Sequence, residues 1–116
     1  MKKYVNVLGT RYEIVRLPAE KMEANRGGFC DPDLKRIEVL RLETVEEWKR
    51  ESKEKIVKRE KLILRHEIVH AFFNESGIRD NSACFELPWA MNEEMVDWFA
   101  NQGEKIHKAW EEAGAL

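Results

Sequence analysis

Between Pro32 and Gly77 the chain contains neither glycine nor proline. Glycine frees the backbone at turns, and proline removes a donor and ends helices. A stretch this long without either must carry regular structure, and in a chain of 116 residues it dictates much of the possible fold. Thr44 followed three residues later by Glu47 is a capping-box signature. The pattern therefore predicts helix from Val45 to about Glu75. At ~1.5 Å per residue that helix would reach about 47 Å, whereas a compact domain of this size is only about 35 Å across. It must project or break. The break belongs in "KRESKEK", which is polar on every side and has no stripe to bury, while the following "IVKREKLILRHEIVHAFF" is apolar enough to be core.

The flanking segments call for a sheet and a second helix. "YVNV" and "RYEIVRL" alternate around a glycine-containing turn, the pattern of a β-hairpin. "AEKMEAN" reads as a short helix, "RGGF" and "CDPD" as turns, and "RIEVLRL" as a third strand. Gly77 suits the left-handed residue that ends the long helix, and "GIRDNSACFELPW" reads as a loop. "MNEEMVDWFANQG" is a short helix with Asn92 near its start, and "EKIHKAWEEAGAL" a last helix after Gly103. The expected fold is α+β: one domain over residues 1–116, a small antiparallel sheet of about three strands packed on two helices.

Composition narrows the class. With 43% hydrophobic and 36% charged residues, this is the balance of a globular chain with a charged surface. No apolar run approaches the roughly 20 residues that span a bilayer, and the N-terminal stretch alternates instead of forming a signal core. The expected location is cytoplasmic and no membrane partner is expected. Cys30 and Cys84 sit in unrelated contexts and read as two small, partly buried free thiols. Trp48, Trp89, Trp98 and Trp110 read as core and cap residues, with "FELPW" as an alternative groove lining. The net charge of −2 argues against a nucleic-acid partner. The excess of Lys and Arg from Lys49 to Arg65 is a solvated helix face or, more sharply, a basic docking surface.

Chemistry concentrates in "LRHEIVHAFFNESG". Residues four apart on a helix stand one above the other, so His66 and His70 can place both imidazoles on one cation. Glu67, about 100° round the helix, can face an open coordination position without being a ligand. Leu62, Ile63, Leu64, Ile68, Val69, Phe72 and Phe73 would bury this helix, and buried imidazoles and carboxylates need partners. A catalytic zinc site wants three protein ligands. "NEEMVDW" offers Glu93 and, four residues on, Asp97, which can accept an N–H from a ligand histidine. Glu94 competes as ligand but lies about 100° round the helix and loses the pairing with Asp97.

HEIVH followed by NEEMVD resembles the gluzincin branch of zinc metallopeptidases, with its second motif N-E-x-x-x-D. The wider stretch is similar to small phage and prophage metallopeptidase-like proteins related to the ImmA/IrrE group, over roughly residues 26–102. The resemblance implies a minimal zincin-like fold and one Zn2+ held by His66, His70 and Glu93. It further implies Glu67 as general base and Asp97 as the partner of His66, acting on a peptide or protein substrate. It makes "RIEVLRL" the edge strand that aligns an extended substrate. Gluzincins also supply a Tyr or His donor to the oxyanion. Here His107 is the spare histidine, with Tyr4 and Tyr12 as outside candidates, although a lone histidine on a charged helix is also an ordinary surface residue. The expected function is zinc-dependent peptide hydrolysis. The alternative is a phage or prophage accessory protein that keeps the zinc site for structure or binding.

Overall fold

The computed structural model describes residues 1–82, 86 and 92–116. Its class is α+β, as expected, but the sheet has four strands and is mixed. Strands β1 (Tyr4–Val7) and β2 (Thr10–Leu17) form the expected hairpin, with Val7 opposite Thr10. Its two-residue turn, Leu8 and Gly9, has φ of 50° and 89°. Two positive φ values match the right-handed twist of the flanking strands. The Asn6 side chain secures the turn by accepting from the Gly9 N–H at 2.9 Å.

Strands β3 (Gly28–Asp31) and β4 (Arg36–Leu40) form a second hairpin, with Cys30 opposite Ile37. Asp31 builds its turn, accepting from the N–H groups of Asp33 and Leu34 at 2.9 Å. β4 also pairs with β2, in parallel, with Ile14 beside Ile37, giving the order β1-β2-β4-β3. Two expectations change here. "GF" and "CD" are strand and not turn, and "RIEVL" is an interior strand bonded on both sides, so it cannot offer a free edge. The edge next to the long helix belongs to β3, which among the described residues has no partner on its outer side.

One face of the sheet supplies Val7, Tyr12, Ile14, Cys30, Ile37 and Val39 to the core. Against it lies α1 (Lys53–Glu75), packing through Ala71, Ile63, Leu64 and Ile68. The helix does break from the preceding chain inside "KRESKEK": residues 42–44 and 46–48 are 3-10 turns, and Ser52 caps α1 by accepting from the Lys55 N–H at 3.2 Å. Its 23 residues rise about 34 Å, which fits extents of 40 × 38 × 28 Å. Thr44 is not the helix cap. Its hydroxyl accepts from the Ala19 N–H and donates to the Arg41 carbonyl, tying two loops together. "AEK" is a 3-10 turn over Ala19–Lys21. Gly77, at φ 80°, ends α1 as expected.

A short helix α2 (Ile78–Ser82) follows, and then α3 (Glu93–Glu112), capped by Asn92 accepting from the Met95 N–H at 3.1 Å. α3 runs through Gly103 without a break, so the two predicted C-terminal helices are one. It meets α1 through Val96, packed with Phe73, Val69 and Ile78, and Arg65 Nε donates to the Ala100 carbonyl at 2.8 Å. Trp98 and Trp110 are about half exposed and are not core. Trp89, Cys84 and all of "FELPW" except exposed Glu86 lie outside the described residues. No helix among the described residues is long and apolar enough to cross a membrane.

Two acids, Glu60 buried and Glu75 partly buried, fasten α1 to the sheet and loops. Glu60, 4% exposed, accepts from Arg16 Nη2 of β2 at 2.6 Å and from the Leu42 N–H at 2.9 Å. Glu75 accepts from Thr10 Oγ1, Tyr12 Oη and Lys35 Nζ at 2.7–2.9 Å. These bonds pull the Glu75 carboxyl down to about 2, Lys35 contributing most.

Candidate metal centre

The helical spacing gathers three side chains of α1 on one side of the helix. His66, Glu67 and His70 of α1 each offer a donor atom within 4.8 Å of the others. The N-terminal turn of α3 brings Glu93 across: its two carboxylate oxygens lie 3.0 Å from His66 Nε2 and 3.1 Å from His70 Nε2. The two Nε2 atoms are 3.2 Å apart. Four residues along α3, Asp97 Oδ1 stands 2.7 Å from His66 Nδ1.

The proton inventory shows what this convergence means. Next to a carboxylate at 2.7 Å, His66 Nδ1 carries the proton and donates it. With Nε2 unprotonated, His66 would present a lone pair there, aimed at the Glu93 carboxylate and at a second imidazole nitrogen. Lone pairs gathered in this way repel unless a positive charge lies among them, and either a proton on one of the two rings or a metal ion can supply it. A tetrahedral ion with bonds of about 2.0–2.1 Å spaces its ligand atoms about 3.3 Å apart, close to the 3.0–3.2 Å observed. Two imidazoles with one carboxylate form a donor set that suits zinc.

Glu67 is placed differently from Glu93. Its Oε1 is 4.0 Å from His66 Nε2 and its residue is 6% exposed. Burial pushes its carboxyl up to about 7, with His66 opposing and Glu93 adding to the rise. Burial also pushes the His70 pKa down. Gly28 of β3 lies directly on Glu67, where a Cβ would stand 2.8 Å from Oε1. Cys30, two residues on, is a free buried thiol, and burial raises its pKa to about 12.

Of the other expected site residues, Glu94 is exposed and makes no contact with the centre. His107 is exposed beside Glu111 on α3, about 21 Å along the helix from Glu93. Tyr12 is fully buried with its hydroxyl on Glu75, and Tyr4 lies beneath Arg11 on the outer strand. None of these is among the residues that line the two cavities at the centre. The groups that do line the cleft and that motif spacing did not single out are Gly28, Arg26, Asn74 and Arg79. The glycine pair before "FCD" was the available signal for β3.

Comparison with known protein families, with curated proteins and with solved structures finds no match.

Proposed function

We propose that this protein is a zinc-dependent metallopeptidase in which His66, His70 and Glu93 hold one ion and Glu67 is the general base. The observation that supports it above all is the convergence of two imidazole nitrogens and one carboxylate within 3.0–3.2 Å of each other. Bound zinc supplies a Lewis acid that polarises a carbonyl and lowers the pKa of water toward about 7.

The chain's own residues account for the rest of the chemistry. Asp97 fixes the His66 tautomer and makes Nε2 the stronger donor. Glu67 Oε1 lies 4.0 Å from His66 Nε2, farther than the 3.0 Å that separates Glu93 from the same atom. From there its carboxylate can take a proton from water in the cleft and return it to the leaving amine. The edge of β3 supplies the backbone register. Gly27 accepts from the Leu40 N–H of β4 at 2.8 Å, so by alternation Gly28 and Cys30 point their N–H and C=O groups outward. A substrate strand adding there would lie beside Glu67.

Elemental analysis tests the ion: about one zinc per chain is expected in wild type and almost none in Glu93→Ala. A peptide library tests the chemistry. Wild type should cut, and Glu67→Gln should keep its zinc while cleavage falls about 10²- to 10⁴-fold. Zinc in both proteins with no cleavage by either would leave a structural or binding centre and defeat the hydrolysis reading. No zinc in wild type would defeat both.

A further inference from the structure

Two cavities, of about 440 and 450 Å³, open on the centre and share Arg26, Gly28, His66 and Glu67 in their walls. They follow one another along α1. The first is walled by Arg59 and Leu62 as well as the centre, the second by His70, Asn74 and Arg79. Together they form one groove beneath the open edge of β3, with the centre in the middle.

The charge lining this groove is one-sided. In the first cavity the acids are Glu67 and Asp97, and in the second Glu67 and Glu93; all three belong to the centre itself. The remaining charged side chains are arginines: Arg26 in both cavities, Arg59 in the first and Arg79 in the second. Arg59 and Arg79 are exposed and have no ion-pair partner among the described residues. Arg26 is held by Phe29, whose ring lies 4.4 Å beneath its guanidinium, and by Glu23 at 2.9 Å on the rim. In a chain of net charge −2, this is a local concentration of the side chain best shaped to grip carboxylates in pairs. Of the other cations of the basic segment, Lys55 pairs with Glu51, Lys58 with Glu54 and Arg65 with the Ala100 carbonyl, while Arg50, Lys53 and Lys61 do not line the groove.

Resting on the metallopeptidase reading, we infer that the groove selects peptides with Asp or Glu flanking the scissile bond, read by Arg59 on one side of the centre and Arg79 on the other. Arg59 precedes His66 by seven positions on α1, about 10 Å along the axis. That is about three residues of an extended chain. The acidic residue read by Arg59 therefore lies about three positions from the bond that is cut, with Arg26 reading closer in. The open β3 edge favours a peptide over nucleic acid, because its backbone groups match another strand.

The test uses full-length zinc-loaded protein and matched peptides carrying Glu, Gln or Lys at each position near the cut. Wild type should prefer Glu. Arg59→Gln and Arg79→Gln should each lower the Glu-over-Gln ratio of kcat/KM about tenfold, the loss of one charge-assisted contact, and at different peptide positions. Lys58→Gln, which removes an exposed charge outside the groove, should leave the ratio unchanged. The same peptides are titrated calorimetrically onto zinc-loaded Glu67→Gln. If nothing is cut but the Glu peptide still binds in an arginine-dependent way, the selectivity stands and the hydrolysis reading falls. If cleavage occurs with equal ratios in wild type and both arginine variants, hydrolysis stands and the selectivity is overturned. Binding of duplex DNA in place of every peptide would also overturn it.

Discussion

Gly28→Ala is the sharpest perturbation the fold offers. The backbone at Gly28 is not left-handed, so alanine is conformationally acceptable there and the whole effect is one of space. The new methyl carbon would stand 2.7 Å from Ile63 Cγ2, 2.8 Å from Glu67 Oε1 and 2.9 Å from Glu67 Cγ. Carbon atoms pack at about 3.5–4.0 Å, so two side chains of α1 or the strand itself must yield by about 1 Å. Overpacking of this kind costs about 1–3 kcal/mol. It also moves the carboxylate proposed as base, and a misplacement of about 1 Å can cost 10²-fold in rate. Gly27→Ala is the internal control, since its methyl would meet Ile63 Cδ1 at 3.5 Å, an ordinary contact. Urea unfolding with a chelator present isolates the packing effect from any ion. Gly28→Ala should lose about 1–3 kcal/mol, and Gly27→Ala should stay within about 0.5 kcal/mol of wild type. Equal stability of wild type and Gly28→Ala, or a larger loss at Gly27, would refute the close apposition of β3 and Glu67.

Three further outcomes follow from the two acids that fasten α1 and from the centre. Glu60→Ala strips the acceptor from Arg16 and the Leu42 N–H and should cost about 2–3 kcal/mol, with Glu60→Gln milder; a neutral Glu60→Ala would contradict the network. Glu75 has a folded pKa of about 2 against 4.5 ordinarily, so its contribution is complete above pH 4.5 and drains away as pH falls toward 2. Thermal melts between pH 2 and 6 should therefore show a shallower acid decline in Glu75→Gln than in wild type, and parallel curves would argue against it. Asp97→Asn should weaken zinc binding about 10- to 100-fold in competition with a chromogenic chelator; unchanged affinity would mean that Asp97 does not orient His66.

What could be read in advance was local in the chain. His66 with His70, and Glu93 with Asp97, are spaced by one helical turn, and any helix brings each pair together. The end of α1 at Gly77 and its start within "KRESKEK" are likewise written in neighbouring residues. The errors arose where distant segments decide. β3 exists because Cys30 meets Ile37 and Phe29 meets Glu38, and the tetrapeptide GFCD by itself carries no sign of that register. β4 looked like an edge until β2 joined it in parallel. Gly103 costs a helix only about 1 kcal/mol, which α3 tolerates with a strong cap at Asn92 and Val96 and Ala100 anchored on α1. Thr44 carries a capping motif but spends its hydroxyl on Ala19 and Arg41 instead. The arginines of the groove carry no motif at all, and only the packing of β3 over α1 makes Arg59 and Arg79 neighbours of one cleft.

The brevity of β3 has its own consequence. An exposed strand edge is a template on which other chains can polymerise, and four residues with two outward-facing backbone positions are too few to nucleate such growth. The same shortness limits what can dock. Two residues' worth of backbone bonds cannot repay the unravelling of a segment already folded into a helix or an interior strand. Only chain that is loose beforehand can take the place: a terminus, a linker or a hinge. On the proposed peptidase reading, the tetrapeptide of β3 would restrict substrates to segments already unfolded, while giving that edge of the sheet too little length to template further strands.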